Sequence, residues 1–369
     1  MKSRLVDFLK GYDFSFLLAM CSLFLMGILN LYSATYDEST VGLAPLVKSQ
    51  ILWFFVALFL AVLTSFISPK NLFRYSYFFY FLCFSLLVMV MLTGKTGMGA
   101  TRWLQVGPLR FQPSEFMKIA LIFALARWYT THAAYRELTL RDLILPGLIA
   151  FLPAALVIKQ PDLGTGLMYL LIFLMISFYR RLKWQSILKL ASLGVISAIL
   201  MYNFALKDYQ RKRVQMFLNP YQDAKGSGYN SIQSAISIGS GRLLGKGYRQ
   251  SSQASLHFLP ENHTDFVFSI FNEEHGFVGS IFLIGLYLLL LLRLLWLAKS
   301  SHRVYDSILT IGILSIFFWH IFINMAMVTG LMPIVGIPLP LMSYGGSSLV
   351  VFGILIGLST SISNTRTIF

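Results

Sequence analysis

The stretch from Phe266 to Ala298 reads FVFSIFNEEHGFVGSIFLIGLYLLLLLRLLWLA, apolar along nearly its whole length. Crossing the hydrocarbon core of a bilayer takes about 20 residues as a helix. The run is too long for one upright crossing, and Glu273-Glu274-His275 interrupts it. The spacing therefore predicts an interfacial helix up to His275 and a membrane span starting near Gly276. On the first helix Asp265, Ser269, Asn272 and Glu273 fall at i, i+4, i+7 and i+8, which makes one polar stripe.

Apolar runs of span length recur outward from this one. Ten are read, at roughly 13–33, 47–67, 72–92, 113–131, 143–159, 164–180, 185–205, 276–298, 306–329 and 344–363. Hydrophobic residues make up 56% of the 369 and charged residues 12%, about half the charged share of a soluble domain. The runs lack strand alternation, so the class is an all-α polytopic membrane protein. Residues 1–369 form a single integral-membrane unit with no soluble domain of its own. The first run, Phe14 to Leu31, follows Lys2, Arg4 and Lys10 and has no small-residue cleavage site after it, which predicts an uncleaved span. Cys21 and Cys83 both lie inside apolar runs and read as packing residues.

A net charge of +15 would suit nucleic acid, but the cations stand at the ends of the apolar runs. That is the positive-inside pattern, and it argues against a nucleic-acid partner. Short loops on one side carry Lys70, Arg74, Arg127, Arg136, Arg141, Arg180, Arg181, Lys183, Arg293, Lys299 and Arg303. Those opposite carry only Lys48, Lys95, Arg102, Arg110 and Lys159. Both termini are expected to be cytoplasmic, with a large loop at about residues 206–275 outside. Loops of such length are commonly functional or disordered. This one places Ile232, Ala235 and Ile236 on one helical face, which predicts a short helix lying on the bilayer.

Ionisable groups at membrane depth are costly and point to function. Glu115 and Lys118, three residues apart in the fourth span, share a face near its external end. They are read either as a self-neutralising pair or as the charged wall of an outward cavity. The second cluster is Glu261, His263, Asp265, Glu273, Glu274 and His275, and its spacing matches no defined metal-ligand set. Asp265 is either a helix-terminal anion or a catalytic base. Gly239 to Gly247 (GSGRLLGKG) resembles a phosphate loop, but Ser240 and Gly247 break the pattern. Its backbone could still wrap a pyrophosphate. Thr329 to Ser347 is apolar yet broken by Pro333, Pro338 and Pro340 and by four glycines, so it cannot be a continuous helix. Broken backbone at that depth must face protein or a wet cavity.

Several of these segments together resemble the SEDS family (shape, elongation, division and sporulation). They are Arg110 to Glu115 (RFQPSE), Gln160 to Thr165 (QPDLGT), Asp208 to Arg211 (DYQR), Leu259 to Phe266 (LPENHTDF) and Pro338 to Ser347 (PLPLMSYGGS). The resemblance covers essentially the whole chain and is nearer the elongation branch than the division branch. It implies a peptidoglycan glycosyltransferase that polymerises lipid II at the outer face of the bacterial cytoplasmic membrane. The implied partners are a class B penicillin-binding protein, the transpeptidase, and other membrane proteins of the elongation complex. The family's essential loop aspartate falls on Asp265, and its conserved Glu and Lys of the fourth span fall on Glu115 and Lys118. The resemblance also implies inversion, an α-linked donor giving a β-linked product.

The residues fit such chemistry. A base must take the acceptor's hydroxyl proton, a role for Asp265. Cations must steady the departing pyrophosphate, and Arg102, Arg110, Lys118, Arg211, Arg213 and Lys246 are candidates. Trp103, Gln112, Glu115, Asp162, His263 and Ser343 complete the expected substrate-binding set. No cofactor or metal ligand is assigned, and a divalent cation at the pyrophosphate stays open. The rivals are a lipid II flippase, which would also use buried charges and broken helices, a scaffold, and a division-type enzyme with the same chemistry.

Overall fold

Each of the ten expected spans coincides with a helix in the computed structural model. It describes residues 12–36, 43–93, 95–97, 100–106, 109–132, 137–205, 211, 215, 217–223, 228–256, 258–259 and 263–367. The helices are α1 (Ser15–Ala34), α2 (Pro45–Ser65), α3 (Pro69–Thr93), α4 (Pro113–His132), α5 (Ile144–Lys159), α6 (Leu163–Tyr179) and α7 (Trp184–Leu200). Next come α8 (Tyr229–Ser240) and the single turn α9 (Ser252–Ser255), then α10 (Val267–Ser300), α11 (Val304–Val328) and α12 (Gly346–Thr367). Among the described residues, seven helices are long and apolar enough to cross a membrane; the shorter α6 and α7 and the charged α4 are not among them. The chain is a multi-pass membrane protein.

One element was not expected. Between α3 and α4 the strands β1 (Lys95–Gly97), β2 (Ala100–Val106) and β3 (Leu109–Phe111) form an antiparallel meander. A connection outside the helices must satisfy its own backbone, and folding back on itself does that locally.

Burial sorts the helices. α4 and α11 bury nearly every face, whereas α2, α3 and α5 keep large apolar residues such as Phe55, Phe59, Phe78, Phe81 and Phe151 outward. A lipid-facing helix needs apolar side chains all round, but an interior one can carry Glu115 and Lys118 if they are paired. α12 approaches α2 so closely that a Cβ on Gly353 would stand 2.5 Å from the Ala57 carbonyl oxygen, and one on Gly357 2.2 Å from that of Ala61. The two glycines are four residues apart and meet two alanines, the small-residue contact that lets membrane helices pack backbone to backbone.

The start of α1 and the far ends of α10 and α12 meet at Asp13. Its carboxylate accepts from Arg293 Nη2 at 2.5 Å and from Ser363 Oγ at 2.6 Å, and its N–H donates to Asn364 Oδ1 at 2.9 Å. Burial works against this carboxylate, yet the hydrogen bonds from Ser15 and Ser363 and the Arg293 charge hold it below the usual carboxylate range. The described parts of the meander and of residues 228–266, with the 329–345 segment, lie at the opposite end of the bundle.

The expected break falls at Gly276, whose φ of 64° and ψ of −162° interrupt α10. A helix break strands carbonyls and N–H groups, and the Gly241–Gly247 loop satisfies them. Lys246 N donates to Glu273 O at 2.9 Å and Gly247 N to Glu274 O at 3.0 Å. Phe277 N donates to Arg242 O at 2.9 Å and Val278 N to Leu243 O at 3.0 Å. The backbone of the phosphate-loop look-alike is therefore occupied by α10 rather than wrapping a pyrophosphate.

The loop approaches so closely that a Cβ on Gly245 would lie 2.0 Å from Glu274 O, at a φ of 80°. Gly245→Ala should therefore destabilise through overpacking, by about 1–3 kcal/mol, with the positive φ adding roughly 1–2 kcal/mol. Gly239→Ala meets nothing within 4 Å and is the control. Thermal unfolding of the detergent-solubilised protein should show a lower midpoint for the first and no drop for the second.

Candidate active site

α4 begins with Pro113 in its first turn, where the missing N–H is not needed. Glu115 in that same turn and Lys118 in the next are buried, at 5% and 1% exposure. Lys118 Nζ lies 2.8 Å from both Glu115 carboxylate oxygens. A third partner was not read from the sequence: His320 Nε2, on α11, lies 2.8 Å from the same nitrogen. His320 Nδ1 in turn stands 3.1 Å from the Pro338 carbonyl oxygen.

Pro338 belongs to the irregular segment between α11 and α12, which the prolines and glycines had predicted. It packs directly on the Asp265 loop. Tyr344 N donates to His263 O at 2.9 Å, Ser343 Oγ to Thr264 O at 2.6 Å, and Asn324 Nδ2 to Asp265 O at 3.0 Å. Asn324 Nδ2 also donates to Ile337 O at 2.8 Å. Gly336 (φ 72°) passes so near the carboxyl group that a Cβ there would lie 3.2 Å from Asp265 Oδ2. Asp265 itself is half-buried. Asp265, Lys118 and Glu115 thus lie around one segment, residues 336–338.

The polar stripe has a different role beyond Asp265. Residues Val267 to Glu274 are all buried, so the stripe faces protein on both turns. Ser269 Oγ pairs with Ser234 Oγ at 2.8 Å, and Asn272 Nδ2 donates to Ser280 Oγ at 2.6 Å across the kink. Glu273 accepts from Ser251 Oγ at 2.5 Å, from Ser252 Oγ at 2.8 Å and from Ser252 N at 3.1 Å, and it pairs with Lys246. Lys246 is therefore tied to a buried carboxylate. α8 likewise buries its serine face, Ser234 and Ser237, against α10 and α11, while Ile236 stays exposed.

The remaining expected residues are scattered. Asp162 is the N-cap of α6, accepting from Thr165 N at 3.2 Å and Thr165 Oγ1 at 3.0 Å. Ser343 braces the loop as described and also accepts from Leu339 N at 2.8 Å. His263 lies edge-on to Tyr344 at 5.9 Å between ring centroids. Gln112 precedes α4 and its carbonyl accepts from Glu115 N at 3.1 Å. Trp103 is 37% exposed on β2, next to Arg102 and opposite Lys95 of β1, while Arg110 of β3 pairs with Gln105 of β2. Arg211 donates to Asn203 O at 2.8 Å in an exposed contact. Arg213 lies outside the described residues. Among those described, no three His, Cys, Asp or Glu side chains converge on a metal site.

His320 and Asn324 carried a signal in the sequence: two polar residues four apart in an apolar span are expensive unless they do something. Their partners lie far away in the chain, which is why the signal could not be assigned.

The chain matches the FtsW/RodA/SpoVE family model, a cell cycle protein family, over residues 14–368. It is 38% identical over 352 residues to peptidoglycan glycosyltransferase MrdB of Escherichia coli strain K12, covering 94% of this chain and 93% of that one. It is 32% identical to peptidoglycan glycosyltransferase RodA of Treponema pallidum, with 96% and 98% covered. Among solved structures it resembles a chain from a study of the structural coordination of polymerization and crosslinking by a peptidoglycan synthase complex. That likeness has a TM-score of 0.82 at 33% identity, over 96% of this chain and 98% of that chain. The rod shape determining protein RodA of Thermus thermophilus matches with a TM-score of 0.72 at 30% identity, covering 96% and 97%.

Removing one member of a buried ion pair strands the other, at a cost of roughly 3–5 kcal/mol. Lys118→Met and Glu115→Gln should each lower the thermal unfolding midpoint, and the double variant should recover most of that loss. A double variant no more stable than the singles would mean that the pair is not balanced as its geometry states.

Proposed function

The chain belongs to the FtsW/RodA/SpoVE family of cell cycle proteins, and on that premise we propose how it acts. It is a peptidoglycan glycosyltransferase of the elongation type. Its substrate is lipid II, a disaccharide pentapeptide carried on a lipid pyrophosphate, and it works at the outer face of the cytoplasmic membrane. The charge asymmetry of the short loops supports that orientation, with both termini inside. Nucleotide sugars are absent outside the cell, so an activated sugar there has to arrive on lipid.

The observation that carries the mechanism is a half-buried carboxylate, Asp265, and a buried ammonium, Lys118, on either side of one irregular segment. The acceptor's sugar 4-hydroxyl gives its proton to Asp265 while its oxygen bonds to the donor's anomeric carbon. The bond from that carbon to the pyrophosphate oxygen breaks, and the lipid pyrophosphate leaves with the electron pair. A positioned base contributes about 10²–10⁴-fold. Lys118, helped by Arg102 and Arg110 of the meander, meets the charge that develops on the leaving group. Glu115 keeps the Lys118 ammonium in place. One displacement inverts the anomeric centre, with no glycosyl-enzyme. The likeness to a chain of a peptidoglycan synthase complex supports a transpeptidase partner, a class B penicillin-binding protein.

Reconstitution with lipid II tests the reading: glycan strands from the purified protein support it, and lipid movement without polymer would make the protein a flippase. Asp265→Asn keeps the shape and removes the proton acceptor. It should fold and bind lipid II yet polymerise about 10²-fold more slowly or worse; a near wild-type rate would leave Asp265 a structural residue. The Glu115→Gln, Lys118→Met double variant should regain stability but not polymerisation.

Orientation has its own check, in a background lacking Cys21 and Cys83. A cysteine replacing the exposed Leu244 should react with a membrane-impermeant reagent in intact cells. One replacing the exposed His302, at the other end of α10, should not. The reverse pattern would put Asp265 in the cytoplasm.

A further inference from the structure

His320 and Asn324 stand four residues apart on α11, so they share one face. Both are buried, at 1% and 0% exposure. The Pro338 carbonyl can only accept a hydrogen bond, so the His320 Nδ1 atom facing it carries the proton. The ring then offers Nε2 as an acceptor to the Lys118 ammonium. The Asn324 amide is oriented by the same logic. Its Nδ2 donates to the Asp265 and Ile337 carbonyls, and a flipped amide would set oxygen against both. Its Oδ1 is buried with no protein partner among the described residues, so its hydrogen bonding in the site runs through those two donations. The two side chains thus hold consecutive carbonyls, 337 and 338, and reach from them to opposite partners, Asp265 and Lys118.

We propose that this face of α11 is a spacer that sets where the Lys118 ammonium stands relative to the Asp265 carboxylate. His320 and Asn324 are positioning residues for the transfer, and neither touches substrate. The inference rests on the reading of Asp265 as base and Lys118 as leaving-group cation. An ammonium has three N–H donors. Glu115 and His320 each take one, and those two bonds direct the third. Without His320 the amine is tethered only to Glu115 on its own helix, and it no longer refers to the segment that carries Gly336 beside Asp265.

The test uses the full-length protein with its partner transpeptidase in proteoliposomes supplied with lipid II. His320→Phe keeps the ring and removes both hydrogen bonds. Misplacing a catalytic group by about 1 Å costs roughly 10²-fold, so kcat should fall on that order. KM for lipid II should stay near wild type, and the thermal midpoint should fall modestly, because a Lys118 donor and the Pro338 carbonyl lose their partner. His320→Gln, whose amide can donate to Pro338 and accept from Lys118, should recover most of the loss. Asn324→Asp keeps the shape but turns an acceptor toward two carbonyls, and it should lower kcat as His320→Phe does.

A wild-type rate in either His320→Phe or Asn324→Asp overturns the spacer. So does a fall in kcat that tracks a fall in thermal midpoint and is not recovered by His320→Gln, since that is the signature of packing. A wild-type protein that makes no glycan overturns instead the polymerase reading beneath it.

Discussion

Three successive carbonyls hold the site in place. Those of His263, Thr264 and Asp265 accept from Tyr344, Ser343 and Asn324, and Val267 O accepts from Asn30 Nδ2 on α1 at 3.0 Å. Each such bond is worth only about 1 kcal/mol net. Their weight is geometric, since a loop held at consecutive peptides keeps the backbone that carries the Asp265 side chain in place. The irregular 329–345 segment follows from the same need. A continuous helix would keep its carbonyls and N–H groups for itself, whereas broken backbone can offer them to neighbours. It is tolerated at that depth because its second half, with Ile337 and Leu339 to Ser343 buried, packs against protein.

The buried Glu115–Lys118 pair works against stability taken alone. Removing an ion from water costs several kcal/mol even after relaxation. α4 can carry the pair because it sits inside the bundle, and because His320 satisfies a further donor of the ammonium. A cation kept at such cost, within one segment of a held carboxylate, suits a reaction in which a hydroxyl loses a proton and a pyrophosphate gains charge.

The kink at Gly276 shows how a helix can be bent without orphaned backbone. The Gly241–Gly247 loop supplies donors and acceptors on both sides of the break, and Gly241 and Gly245 are required because a Cβ there would stand 2.2 Å from Asn272 O and 2.0 Å from Glu274 O. Glu273 and Lys246 then close the arrangement from the side-chain direction. Ser251 and Ser252, at the start of α9, also donate to Glu273, so the same carboxylate ties α9 to α10.

Much of this was legible along the chain. Apolar length marked the spans, the acidic interruption and Gly276 marked the break in α10, and the prolines and glycines after Thr329 marked the irregular segment. Ionisable residue type at membrane depth singled out Asp265, Glu115 and Lys118. Local pattern suffices for these because helix length, backbone freedom and desolvation cost are properties of a residue and its near neighbours. It did not suffice to show that Glu273 and Lys246 pair with each other, or that Asp162 caps α6. Nor did it reveal that Gly239 to Gly247 serves a helix rather than an anion, or that His320 and Asn324 join the two halves of the site. A hydrogen bond commits a donor to whichever acceptor the fold brings near. His320 and Lys118 are 202 residues apart and Asn324 and Asp265 are 59 apart, so only the packing of α11 against α4 and the α10 entrance decides what those donors hold.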